Sequence, residues 1–353
     1  MVLDSDVTVR EYMPRWLDEI ARHRIRASTY ASYEQLVRSH IVPCLGAMRL
    51  QKLERRHIQA FYASKLAENG RADGKPGGLS RRMVRFIHAV FKMACTEAVS
   101  AGLLAHNPMD GVKPPRDERP PIEYWNADEA ATFLAAAEGD IYGAIWHVAL
   151  HTGLRVGELL GLRWEDVNLD SADDGGQPHP ELRVRQILGK RKVIGDPKSG
   201  AGKRAVALDA ETAHALTAHR RRQTERRELA GVVAPAHDLV FPSTVDTLMS
   251  ARNLARHFSL LVATAGVKPI SPHGMRHTHA TLLMLAGVNP KIVSERLGHS
   301  DIAFTLRTYS HVLPQMQNDA AQAFAATMAR ASQKRPCTSR AHEGDDGVPE
   351  PLG

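Results

Sequence analysis

Cysteine is nearly missing from this chain, with Cys44, Cys95 and Cys337 the only three among 353 residues and no CxxC pair among them. A scattered, odd-numbered set argues against a disulfide framework and against a cysteine-based metal site. Long apolar runs are missing too. The strongest, Leu282 to Val288, falls far short of the ~20 residues a membrane span needs. The opening MVLDSDVTVRE is acidic and polar with no apolar run behind it, so no signal peptide is expected. A reduced, cytoplasmic protein without a membrane partner is the expectation. Nucleotide signatures are also wanting: GAGKR lacks the upstream glycine and the hydroxyl residue of a P-loop, and no GxGxxG follows a strand. HExxH and GxSxG do not occur. Nucleotide hydrolysis and hydride transfer therefore have no support.

What is present is ordinary globular material, 43% apolar and 24% charged, in a length that suits two domains at about 150 residues each. The net charge is 46 − 39 = +7. Such an excess permits nucleic-acid binding without showing it, and its distribution matters more than its sum. Between Glu181 and Arg204 stand eight Lys/Arg against two acids, a net of +6. Arg81, Arg82 and Arg85 form a second basic face at a helix start, an arrangement that fits a DNA groove.

The pattern predicts a mainly α chain with a small antiparallel sheet, an α+β fold. Residues 1–110 read as a bundle of helices. In the strongest of these, Ser80 caps a helix whose apolar stripe is Val84, Ile87, Phe91, Ala94 and Ala98. Residues 111–121 close a proline-rich linker, and 122–331 form a second, mixed domain. Within it the alternation of Leu182–Leu188 and of Arg204–Leu208 predicts two strands joined by a Gly-rich hairpin, with helices resuming after Asp209. The tail 332–353 is charged and Pro/Gly-rich without periodicity, so disorder is expected there.

In SPHGMRHTHA, Ser271 and Pro272 start a helix that carries His273 and Arg276 on one face near its positive end. An imidazole and a guanidinium at that place suit a phosphoryl group. His273, His277 and His279 could instead suggest zinc, but no carboxylate or cysteine nearby completes a site.

Five segments together carry a family resemblance: TGLRVGELLGLRWEDV (152–167), DPKSG (196–200), HGMRH (273–277), LGHS (297–300) and TLRTYSHV (305–312). In order and interval they resemble the motif set of the tyrosine recombinases, the integrases of phages and transposons and their Xer-like relatives. The resemblance implies an N-terminal core-site DNA-binding domain and a C-terminal catalytic domain. It implies that Arg155 and Arg276 hold the scissile phosphate and that Tyr309 is the nucleophile of a 3′-phosphotyrosyl intermediate. Lys198, preferred over nearby Lys203, corresponds to the general acid. His273 corresponds to the histidine that activates the tyrosine or orients the phosphate, His299 to the residue that bonds the phosphate, and Glu158 to the acidic support. It further implies double-stranded DNA core sites as substrate, a tetramer on two sites, an accessory directionality factor as partner, and neither metal nor cofactor. A non-catalytic DNA-binding protein, a type IB topoisomerase-like relaxing enzyme and a zinc hydrolase are the alternatives. The intact set of six residues speaks against the first of these.

Overall fold

Thr8 opens the first helix with a capping box, its hydroxyl accepting from the Glu11 N–H while the Glu11 carboxylate accepts from the Thr8 N–H. The computed structural model describes residues 6–116, 121–172, 176–189, 192–197, 200–231, 237–309 and 321–330. Lys190, Arg191, Lys198, residues 310–320 and the tail 332–353 lie outside them. The chain divides into two compact units, Met1–Pro121 and Ile122–Gly353.

In the first unit, α1 (Val9–Trp16) runs through Pro14 and widens into a π-turn over Leu17–Ala21 before α2 (Arg22–Arg24). The next pair repeats this device, α3 (Ala27–Leu36) leading through a π-turn at Val37–Ile41 into α4 (Val42–Leu45). Then come α5 (Arg55–Leu66) and α6 (Arg81–Ser100). Ser80 caps α6 by accepting the Met83 N–H at 3.2 Å, and the stripe Val84, Ile87, Phe91, Ala94 and Ala98 is wholly buried. Tyr12 donates from its hydroxyl to the Ala94 carbonyl at 2.7 Å, tying α1 to α6. In α5 the apolar spacing predicts Leu66 inside. Instead Leu66 is exposed and Lys65 is buried, its ammonium lying over the Phe61 ring.

The second unit starts with α7 (Ala127–Ala137), capped by Asn126 and Glu129, and α8 (Gly143–Thr152). Gly153 ends α8 with φ +64°, where an added Cβ would press on the His279 ring and Leu297. A short α9 (Val156–Gly161) follows. Strands β1 (Val167–Asn168), β2 (Glu181–Val184) and β5 (Arg204–Ala207) form an antiparallel sheet in the order β1-β2-β5, while β3 (Ile187–Leu188) pairs with β4 (Ile194–Gly195). The single strand expected over Leu182–Leu188 is thus two. The break falls at Arg185 and Gln186, whose side chains turn to Asp166 (3.2 Å) and to the Gly161 carbonyl (2.9 Å). Glycine at 161 also lets α9 lie on β3, since a Cβ there would come within 2.9 Å of the Ile187 backbone.

Asp209 caps α10 (Ala210–Leu229), and α11 (Ala251–Ala265), α12 (Pro272–Leu285), α13 (Pro290–Leu297) and α14 (Ile302–Thr308) follow. The helices are not continuous after Asp209. Residues 237–250 form a loop that sends Leu239, Val240, Phe241 and Met249 into the core. Trp125, Phe133, Trp146 and Phe258 stack at the centre of that core, with ring centroids 4.7 Å apart for Trp125–Phe133 and 5.0 Å for Trp146–Phe258. Residues 321–330 are helical. Among the described residues no helix is long and apolar enough to cross a membrane.

Candidate active site

The turn after α8 presents the first cation. Arg155 is the N-cap of α9, and its N–H and guanidinium both reach Glu158 one turn on, at 3.0 and 2.7 Å. Its remaining arm donates to the Gly298 carbonyl at 3.3 Å. Glu158 is buried and shared: Arg204, at the start of β5, donates to its Oε2 at 3.0 Å. Burial alone would raise the Glu158 pKa, but Arg204 and Arg155 outweigh it and hold the carboxyl below the usual glutamate range.

Arg276 begins the second turn of α12, a helix that Ser271 caps by accepting the Gly274 N–H and in which Pro272, at the first position, has no N–H to leave unpaired. It is almost wholly buried, donating to the Gly153 carbonyl at 2.8 Å and the Leu297 carbonyl at 2.6 Å. Burial, then Arg155, draws its pKa down to about 9, so it stays cationic at neutral pH. Two left-handed glycines therefore serve the arginine pair. Gly153 gives its carbonyl to Arg276 and Gly298, at φ +66°, gives its carbonyl to Arg155. A Cβ on Gly298 would lie 2.7 Å from Arg204 and 2.8 Å from the Ala201 carbonyl.

Two histidines of the site, His273 and His299, are pushed below the ordinary imidazole range. Burial, then Arg276 and Arg155, lowers the His273 pKa. The same causes, in the same order and joined by Arg204, bring His299 down to about 3. Nδ1 of His299 pairs with the Thr305 hydroxyl at 2.7 Å, and its ring meets Phe304 edge-on. Tyr309 ends α14 with 1% of its surface exposed, packed among Ala280, Met284, Val293 and Leu297. Its hydroxyl lies 3.0 Å from Nδ1 of His277. Burial pushes the phenol up to about 12, against the pull of Arg276.

Arg155, Glu158, His273, Arg276, His299 and Tyr309 are thus gathered around one basic centre, while Lys198 lies outside the described residues. Lys203, the other hairpin lysine, pairs with Asp196 at 2.7 Å. The three guanidiniums of Arg155, Arg204 and Arg276 face one carboxylate, leaving two net positive charges for an anion. Two members escape a reading of the sequence. Arg204 is hidden in a run of basic residues, although it lies on the same strand face as buried Val206, a period-two signal. His277 lies one turn beyond His273, and its partner is a residue 32 positions away. The zinc grouping does not form: His277 pairs with Tyr309, and the His279 ring accepts from Arg296 at 3.1 Å.

The basic face of the first unit is exposed at Arg81, Arg82 and Arg85, with Arg85 also donating to the Pro115 carbonyl at 3.2 Å.

Comparison with known proteins gives a consistent picture. Residues 124–316 match the phage integrase family, and residues 8–66 match the N-terminal SAM-like domain of phage integrases. A XerC-like tyrosine recombinase of Caldanaerobacter subterraneus subsp. tengcongensis is 30% identical, over 90% of this chain and 83% of its own. The ICEBs1 integrase of Bacillus subtilis is 26% identical, over 83% of this chain and 76% of its own. Among solved structures, the Tn1549 transposon integrase in complex with transposon right end DNA matches with a TM-score of 0.71 at 23% identity, covering 91% of this chain and 99% of that one. A lambda integrase dimer bound to a core site matches with a TM-score of 0.64 at 19% identity, covering 87% and 78%.

Proposed function

The chain belongs to the phage integrase family, the tyrosine recombinases that cut and rejoin DNA at specific sites, and we propose that its Tyr309 is the nucleophile of that strand transfer. The supporting observation is the basic centre itself: Arg276, buried and acting on Tyr309, with the field of half-buried Arg155 reaching Arg276, His273 and His299. A phenol is a poor nucleophile while protonated, and nearby cations favour the phenolate that attacks phosphorus. Arg155 and Arg276 take the non-bridging oxygens of the scissile phosphate and stabilise the charge that builds there in the transition state. The Tyr309 hydroxyl gives its proton to Nδ1 of His277 as its oxygen bonds to phosphorus, the 5′-oxygen leaves, and Lys198 donates the proton that makes it a hydroxyl. His299 and His273 bond the phosphate, and Glu158 holds Arg155 at its angle. Exchanging a phosphodiester for a phosphotyrosyl ester conserves the bond, so the step needs no ATP, and two guanidiniums take the part a metal ion plays in other phosphoryl transfers.

The first unit is the core-site binding domain, with the face at Arg81, Arg82 and Arg85 on the duplex. Two DNA sites are brought together by a tetramer, to which residues 321–330 contribute through Phe324 and Met328, exposed by 70% and 53%. A directionality factor is the accessory partner that such a reaction admits.

A nicked suicide substrate tests the assignment. Wild type traps a covalent protein–DNA adduct with or without EDTA, and Tyr309→Phe traps none. An adduct that survives Tyr309→Phe overturns the choice of nucleophile.

A further inference from the structure

Behind the turn that carries Arg155, α8 aims a second set of polar side chains at α10. His147 and His151 sit one turn apart on α8, their rings stacked with centroids 4.1 Å apart and planes within 10°. Nδ1 of His151 lies 3.1 Å from Oδ2 of Asp209, the N-cap of α10. One donor atom from each of the three residues falls within 4.8 Å of the other two. The His147 ring leaves its Nε2 buried with no hydrogen-bond partner. His147 and His151 border a cleft of about 940 Å³, also lined by Glu211 and His214, that opens a path for a small solute to the two rings.

We propose that His147, His151 and Asp209 form a binding site for a divalent transition-metal ion of the zinc type. Two histidines at i, i+4 on a helix with one carboxylate make a recurring zinc donor set. Bonds of about 2.0–2.1 Å put tetrahedral ligand atoms about 3.3 Å apart, close to the spacing already present between His151 and Asp209. Water fills the remaining position from the cleft.

The ion takes no part in strand transfer. It fastens the last turn of α8 to the first turn of α10. The neighbouring backbone already matters to the site, since the His151 carbonyl accepts from Arg296 at 3.0 Å and Gly153 holds Arg276.

The test is a Co²⁺ titration of the metal-depleted full chain, followed by visible absorption and competed with Zn²⁺. One equivalent should bind with the ligand-field bands of a four-coordinate ion and be displaced by Zn²⁺. His147→Ala and Asp209→Asn should each weaken binding at least tenfold with an unchanged circular dichroism spectrum, because asparagine caps a helix as well as aspartate does. Zn²⁺ should raise the Tm of wild type and leave that of His147→Ala unmoved. A wild-type chain with no saturable Co²⁺ uptake overturns the proposal, and so does uptake that neither substitution weakens.

Discussion

The hydroxyl of Tyr309 lies 3.0 Å from Nδ1 of His277, on the helix that also carries Arg276. The phenol is therefore held by an imidazole inside the protein, and its raised pKa keeps its proton in place. His277→Ala should leave DNA binding intact and slow adduct formation by about 10²-fold, the usual scale for a group that positions or accepts a proton. Single-turnover trapping on a suicide substrate reads the rate, and a gel-shift titration reads the binding. An unchanged rate would show that the pair belongs only to the resting arrangement.

Arg276 is anchored by two carbonyls and Arg155 by a carboxylate, so truncating them should differ in kind. Either Arg→Ala change should cost about 10²–10³ in adduct formation, as loss of one donor to a developing oxyanion does. Arg276→Ala should also lower stability, because the Gly153 and Leu297 carbonyls lose a charged donor worth about 1.5–3 kcal/mol. Urea unfolding of the two variants separates the chemical effect from the structural one.

Glu158→Gln keeps the shape and removes the charge between Arg155 and Arg204. Breaking such a buried set by neutralising its one anion should cost about 3–5 kcal/mol. The pH dependence has a definite sign. With its folded pKa depressed, Glu158 contributes stability that is present above the ordinary glutamate range and is lost as pH falls through the depressed folded value. Wild type should lose Tm faster than Glu158→Gln over that acidic range in a thermal-melt series.

His299 behaves in parallel for a different reason. Its folded pKa of about 3 lies below the ordinary value of 6.5, so the unfolded chain takes up a proton that the folded one refuses. Stability is therefore lost as pH falls from 6.5 toward 3. His299→Phe should flatten that part of the curve.

Arg81→Ala and Arg82→Ala should weaken binding to any duplex about equally. Each should lower the slope of log K against log salt by about one if the side chain neutralises a phosphate. Gel shifts at several salt concentrations, with core-site and random duplexes, supply that slope.

Much of the scaffold is legible from local chemistry. Ser80 and Ser271 are helix caps in sequence and in space, and the α6 stripe is buried where its spacing puts it. Arg155, Arg276 and Tyr309 stand in short words whose order is specific even though each is weak alone. What escapes is decided by long-range partners. The strand over Leu182–Leu188 splits because Gln186 bonds a carbonyl 25 residues away, which alternation alone does not encode. Arg204 is one basic residue among eight until Glu158, 46 positions earlier, gives it a distinct place.

Glu158 makes β5 and the Arg155 turn a single mechanical part. Anyone who retargets this recombinase by diversifying the loop between β4 and β5 must therefore stop short of Arg204. Randomising that one position would leave buried Glu158 short of a partner, and the resulting loss of stability across the library would be misread as a failure of DNA recognition.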